Sequence, residues 1–340
     1  MTDASLALQN KRSVKAYLDA LSVPSDDGFK SAVLAAFAED AEVHIVHPYN
    51  DVCGAAAYAE EFFGSLNAAF ADLHRRDYIL MGGEFQGDDW ISSTGYYVGQ
   101  FQSDWLGIKA TQKLAYIRVG EFHRMEAGKI RQSYVFLDIP ELMIACGQWP
   151  DLPSPASIAG YTGMIPGPAT SDGILMEQSD AEQSAISFDM VVAMLRGLAT
   201  PDEAWRPYWH DTMMWYGPGA FGSFVGLERF RAFQVPFEAR FDGWSGGAAN
   251  NGMTAHFTRF GDCNYVCSGG WPSLTGVQVG EFLGQAPTNK RLFMRVCDWW
   301  RRDGDRLLEN WVFVDIPHVL LQMGYDLFGE LEGNGSSHAG

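Results

Sequence analysis

One feature constrains this chain more than any other: it contains the same segment twice. YVFLDIP at 134–140 returns as WVFVDIP at 311–317, an offset of 177 residues. At that offset residues 107–147 align with 284–324 without a gap, and 12 of the 41 positions are identical. Among them are Lys113 and Lys290, Arg118 and Arg295, and Asp138 and Asp315, while Glu121 becomes Asp298 and Tyr134 becomes Trp311. Gapless agreement over that length marks a structural unit present twice. Upstream it continues with small gaps: CGAAAYAEEF (53–62) parallels VGLERFRAFQ (225–234), and GDDWISSTG (87–95) parallels GDCNYVCSGG (261–270).

The duplication divides the chain into a first unit at 1–149 and a second at 181–332. Between them, 150–180 is rich in Pro, Gly and Ser and reads as a surface linker, and 333–340 reads as a frayed tail. With 47% hydrophobic and 19% charged residues, each unit has ample apolar material for a core. Lys plus Arg number 24 against 42 Asp plus Glu, a net charge of −18. An acidic chain without a basic cluster repels phosphate, so nucleic acid and anionic lipid are not expected partners. No apolar run is long enough for a spanning helix, and the first residues lack a secretory pattern. Five irregularly spaced cysteines suit a reducing compartment, so a cytoplasmic protein is expected.

Each unit follows one order. Helical patterning comes first (Ser13–Ala41; Ala185–Thr212), then a short strand (Val43–His47; Met213–Tyr216), a second helix (Ala55–Phe70; Leu227–Phe241), and several alternating strands. Gly128 and Asp303-Gly304-Asp305 stand where strands turn back, and a short helix closes each unit. Helices followed by an antiparallel sheet are an α+β pattern. Two tandem cone-shaped domains are expected, each a cystatin-like curved antiparallel sheet with N-terminal helices on one face and a mouth able to hold a ligand.

The segment GEFLGQAPTNKRLFMRVCDWWRRDGDRLLENWVFVDIPHVLLQMG, and NAAFADLHRRDYIL with Gly107–Thr111 in the first copy, resemble SnoaL-type polyketide cyclases of the nuclear transport factor 2-like superfamily. The resemblance implies the cone fold and, at the level of function, a superfamily of aldol cyclases, isomerases, epoxide hydrolases, dehydratases and binders. It also implies an acid/base aspartate from the late-strand region, here Asp138 or Asp315. His74 lies in Ala-Asp-Leu-His, similar to a Pro-Asp-Leu-His run of that family but with Ala71 for Pro.

Alternation puts Tyr134, Phe136 and Asp138 on one strand face, and Trp311, Phe313 and Asp315 on another. A carboxylate among aromatic rings has a raised pKa, which suits acid/base work near neutrality. The competing reading is a helix cap, because Asp-Ile-Pro-Glu is a capping box. Arg118 with Glu121, and Arg295 with Asp298, are further candidates, as an epoxide-hydrolase-like pair or as ion pairs at the rim, and Arg118 with Asp138 across neighbouring strands is the alternative pairing. His47 and His74 are candidate proton carriers, and His44, Tyr116, Tyr134, Phe136, Trp215, Tyr216, His256, Trp299 and Trp311 are candidate pocket residues. No metal-ligand spacing, Gly-rich phosphate loop or Gly-x-Ser-x-Gly element is present in context, so neither metal nor cofactor is expected.

The expectation is a cofactor-independent acid/base enzyme acting on a hydrophobic carbonyl compound, aromatic or polycyclic, by aldol or retro-aldol chemistry, isomerisation or dehydration. The first copy, which holds most of the histidines, is the expected site of reaction. The alternatives are a small-ligand binder and a scaffold in which the fused units form an intrachain pseudo-dimer, sheet against sheet, with further homo-oligomerisation left open.

Overall fold

The computed structural model describes residues 3–25, 27–154, 164–198, 200, 202–246 and 255–334. In the first unit α1 (Asp3–Leu21) and α2 (Gly28–Ala36) lead into β1 (Phe37–Ile45) and β2 (Asn50–Cys53). A helical stretch follows, made of α3 (Ala55–Ala57), a π-helical segment (Tyr58–Phe63) and α4 (Gly64–Ala69). The unit ends with β3 (Phe70–Phe85), β4 (Asp88–Phe101), β5 (Leu114–Glu126), β6 (Lys129–Leu137) and α5 (Ile139–Ala145). The second unit repeats this as α6 (Ala181–Arg196), β7 (Trp209–Tyr216), β8 (Ser223–Val225), α7 (Leu227–Glu238), β9 (Phe241–Gly246), β10 (His256–Asp262), β11 (Tyr265–Gln278), β12 (Arg291–Asp303), β13 (Arg306–Val314) and α8 (Ile316–Met323), with α9 (Leu327–Asn334) added.

The first sheet runs β2-β1-β6-β5-β4-β3, and the second β8-β7-β13-β12-β11-β10 with β9 beside β11. Both are mixed rather than purely antiparallel as expected: β1 runs parallel to β6, and β7 parallel to β13. The other pairs are hairpin-like, and the β5–β6 turn has Ala127 and Gly128 both at positive φ, as a two-residue turn requires. The expected helix over 13–41 is broken at Ser22, next to Pro24, and 37–41 is already strand. Likewise the helix expected over 185–212 ends at Arg196, and β7 begins at Trp209.

The long strands are buried on both faces; β4 is buried without a break from Trp90 to Gly99. Helices α1 and α6 cover one face of their sheets, and the other face of each sheet meets the other unit. Phe122 stacks on Trp299 with centroids 4.9 Å apart. A Cβ at Gly120 would lie 2.6 Å from the Trp299 ring, so the close approach of the sheets requires glycine there. Lys11 on α1 and Asp262 on β10 form a buried ion pair of 2.5 Å, and Asp262 also accepts from Gly82 N. The two units are therefore one packed body joined through their sheets.

Of the linker, 155–163 lies outside the described residues; from 164 onward it is tied to both units. Ile165 N donates to the Tyr96 hydroxyl, Trp311 Nε1 donates to Pro166 O, and Leu80 pairs with Ile174. The tail expected to fray, 333–340, lies outside the described residues from 335 onward, and 333–334 still belong to α9.

Candidate functional site

Strand alternation assigns each candidate side chain to a cone or to the interface between sheets. On β5, Arg118, Gly120 and Phe122 meet the second unit, so Ile117, Val119, Glu121 and His123 face the first cone. On β12, Arg295, which donates to Asn50, and Trp299 meet the first unit, while Met294, Val296, Asp298 and Trp300 line the second cone. Arg118 and Glu121 thus lie on opposite sides of one sheet, as do Arg295 and Asp298. The expected Arg/acid pairs for activating water are not assembled, because residues three apart on a regular strand point opposite ways.

Asp138 and Asp315 are helix caps that also reach across the molecule. Asp138 accepts from Glu141 N at 3.1 Å and from Gly219 N of the second unit at 3.0 Å, and lies 3.6 Å from Arg118. Asp315 accepts from His318 N at 3.2 Å and from His47 N of the first unit at 3.1 Å, and pairs with Arg295 at 2.9 Å. Arg118 lies 4.0 Å over the Phe313 ring and donates to Val312 O; Arg295 lies 4.1 Å over Trp271. Burial raises the pKa of both aspartates, opposed chiefly by these arginines. Neither aspartate lines the second cone's cavity. The capping reading holds for both, and their oxygens are committed to the interface.

The other candidates divide in the same way. Tyr134 stacks on Phe257 and on His44, and Phe136 packs edge-on to Trp271, all between the sheets. Trp299 donates to Ser92, and Trp311 stacks on Tyr216. His47 sits at the interface, with its ring beside Phe328. The His74 ring bonds Asp72 O, and Tyr116 is exposed against Tyr96. Of the expected pocket residues, Trp215 and His256 line the second cone.

The first cone is filled. Phe37, Tyr58, Phe62, Phe63 and Tyr97 pack ring against ring at centroid distances of 4.9 to 6.3 Å. At its floor Glu121 is fully buried, 2.7 Å from Arg75 and 3.5 Å from His123 Nε2, and accepts from the Tyr97 hydroxyl. Arg75 also pairs with Asp77, and His123 Nδ1 meets Ser133 Oγ. Burial alone would raise the Glu121 pKa; Arg75 and His123 outweigh it and hold the carboxyl at about 2. This is a buried ion cluster in which Arg75 faces two carboxylates.

The second cone encloses a cavity of about 100 Å³. Its walls are aromatic and aliphatic, with Trp215, Phe233, Trp300 and Val312 among them, and its polar groups include Asp298, His256, Ser268 and Asn310. Asp298 is half-buried by exposure, and what surface it keeps opens into this hollow. Its Oδ1 accepts from Asn310 Nδ2 at 3.3 Å, and among the described residues no cation lies within ion-pair distance. Burial therefore dominates and pushes its pKa up to about 7, against weaker opposing pulls from Asn310 and from Arg118 across the sheet. His256 bonds Ser273 Oγ at 3.0 Å, and burial, with Arg259, lowers its pKa to about 4, so the ring is neutral at physiological pH.

Asp298 is the counterpart of Glu121 at the offset of 177, as Trp300 is of His123 and Asn310 of Ser133. Sequence reasoning did not single out Arg75, Tyr97, Ser268 or Asn310. The offset carried the signal for Asn310, and the aligned SSTG and CSGG segments carried it for Ser268, which faces Asp298 as Ser93 faces Glu121. Among the described residues no group of three or more His, Cys, Asp or Glu could hold a metal, and no helix is long and apolar enough to cross a membrane.

No protein-family model matches the sequence, and no curated relative is found at a significant level. Solved structures do match. A protein from Jannaschia sp. CCS1 assigned as a SnoaL-like polyketide cyclase is 16% identical, covers 41% of this chain and 91% of its own, and has a TM-score of 0.34. IdmH from Streptomyces antibioticus, assigned as a polyketide cyclase, is 16% identical, with 41% and 98% covered and a TM-score of 0.34. An NTF2-like protein from Burkholderia thailandensis E264 is 21% identical, with 41% and 97% covered and a TM-score of 0.32.

Proposed function

We propose that the second cone is the working site, and that Asp298 exchanges protons there with a small apolar carbonyl compound. The observation that carries this reading is a carboxyl group lining an aromatic hollow, unpaired with any cation among the described residues and poised near neutrality. As carboxylate it takes a proton from the carbon next to the carbonyl. The enolate oxygen then accepts a hydrogen bond from a polar group of the wall, for which Ser268 and neutral His256 are available. Returning the proton at the same or another carbon completes exchange or isomerisation, and the enolate is also the intermediate of aldol and dehydration steps.

The size of the hollow narrows the substrate. An engineered cavity of roughly 150 Å³ holds benzene; at about 100 Å³ this one is smaller and suits a short-chain ketone rather than a polycycle. The preference for the first copy is replaced, because its histidine is locked against Glu121 and Ser133 inside a filled cone. Binding without turnover is the second reading, favoured by the apolar character of most of the wall.

Loss of the α-protons of acetone and butanone in D2O, followed by proton NMR, tests the proposal. The chain should accelerate exchange, and Asp298→Asn should lower the rate at least ~100-fold while keeping ligand binding. Equal rates for the two proteins would support a binder.

A further inference from the structure

The helix wall of the second cone carries a polar group that proton transfer at Asp298 leaves unused. On α7, Phe230, Phe233, Gln234 and Phe237 recur at the spacing of one helix face, and all four line the hollow. Gln234 is the one polar residue of that stripe, and only 8% of it is exposed. Its Nε2 donates to Glu238 Oε1, one turn on, at 2.7 Å. A carboxylate accepts and does not donate, so this bond fixes which end of the amide is which and leaves Oε1 as an acceptor. Among the described residues nothing donates to Oε1, and the atom is not closed off within the packing. The other polar groups named above, Asp298, Ser268, His256 and Asn310, all stand on strands.

An amide oxygen held in an aromatic hollow calls for a donor. A simple ketone has none to offer, because its oxygen only accepts. A hydroxyl supplies one without bringing charge into the hollow. An ammonium would pair with Asp298, hold it ionised and weaken it as a base. In the first unit the paired segments 53–62 and 225–234 put Phe62 in the place of Gln234. The Phe62 ring stacks on Tyr58 at 5.4 Å and is part of the packing that fills that cone. The unit that keeps a hollow is the one that carries the amide.

We propose that Gln234 sets specificity in the second cone, its Oε1 accepting from a hydroxyl on the carbon next to the carbonyl, so that the substrate is a short-chain α-hydroxy ketone. The inference rests on the second cone being the working site, and it names the substrate class of that site. With the carbonyl oxygen at Ser268 or His256 on the sheet and the hydroxyl at Gln234 on the helix, the carbon that loses its proton is held from both sides. A cavity of about 100 Å³ leaves little room for a longer spacer between the two oxygens.

Hydroxyacetone and butanone test this as a pair, since they have the same number of heavy atoms and differ by a hydroxyl in place of a methyl. Ligand-observed proton NMR titrations of the full chain should show hydroxyacetone binding at least ~5-fold more tightly. Gln234→Leu, close in size and apolar like its neighbours on α7, should remove that preference. Equal affinities in the parent, no binding of hydroxyacetone, a preference that survives Gln234→Leu, or equal weakening of both ligands in that variant would each overturn the proposal. Exchange in D2O tells its failure from that of the acid/base reading. Hydroxyacetone selected through Gln234 but exchanged no faster than in buffer would remove Asp298 as the base and keep Gln234 as the selecting residue, whereas faster butanone exchange without the preference would do the reverse.

Discussion

Glu121 and Asp298 occupy the same place in the two units, 177 residues apart, yet their surroundings push them in opposite directions. Burial acts on both. In the first cone Arg75 and His123 overcome it and hold Glu121 at about 2; in the second, among the described residues, no cation stands beside Asp298, which rises to about 7. A duplicated position has become a structural ion cluster in one copy and a titratable group in a hollow in the other.

This difference predicts opposite effects of pH on stability. The folded-state pKa of Glu121 lies below its unfolded value, so its contribution is complete above pH about 5 and is lost as pH falls toward about 2. That of Asp298 lies above, so its ionisation weighs against the fold as pH rises from about 4 to about 7. Asp298→Asn should therefore be more stable than the parent at pH about 8, by up to about 4 kcal/mol, and no more stable at pH about 3. Glu121→Gln should lose about 3 kcal/mol at neutral pH by leaving Arg75 with Asp77 as its one carboxylate partner, and should show a flatter acid limb. Urea unfolding across pH measures both.

The capping aspartates should matter for stability and not for proton transfer. Asp138→Ala or Asp315→Ala removes a helix cap, a bond to the other unit and the partner of a buried arginine, and should cost on the order of 3 kcal/mol each. Ketone exchange by folded Asp315→Asn should stay within about twofold of the parent, whereas a base at this position would contribute ~100-fold or more.

The pH–rate profile should be a single rise. His256 is lowered to about 4 and stays neutral over the working range, so exchange should increase through pH about 7 as Asp298 ionises and then level off. A second inflection between about 5 and 9 would mean that another group titrates in the reaction.

The sheet-to-sheet contact should tolerate no bulk at its centre. Gly120→Val places side-chain atoms where the Trp299 ring lies and should destabilise by about 1–3 kcal/mol. Trp299→Ala should cost about 3–5 kcal/mol by opening a void under Phe122. Both follow from thermal or urea unfolding, with the two units expected to unfold together.

The duplication, the order of helices and strands and the register of the closing strands were legible because period and offset are linear properties of a sequence. Tyr134, Phe136 and Asp138 do share a face, as alternation requires. What alternation does not encode is which side of a doubly buried sheet that face meets. Most of the aromatic residues that read as a pocket wall are the seam between units, and Asp138 and Asp315 lie at that seam too. The cone proposed as the working site was hidden for another reason. It differs from the first by lacking a cation, and Arg75 lies in the upstream part of the repeat, where gaps blur the correspondence. The histidines drew attention to the first copy although His123 is one of the groups that closes it.

The central claim is that Asp298 holds its proton to near neutrality inside the second cone, and its own titration tests this most directly. Carbon-13 NMR of the labelled side-chain carboxyl, assigned by its absence from Asp298→Asn, should show a midpoint near 7. A midpoint near the ordinary value of about 4 would mean that water or a cation reaches the group, and the acid/base account of the cone would fail.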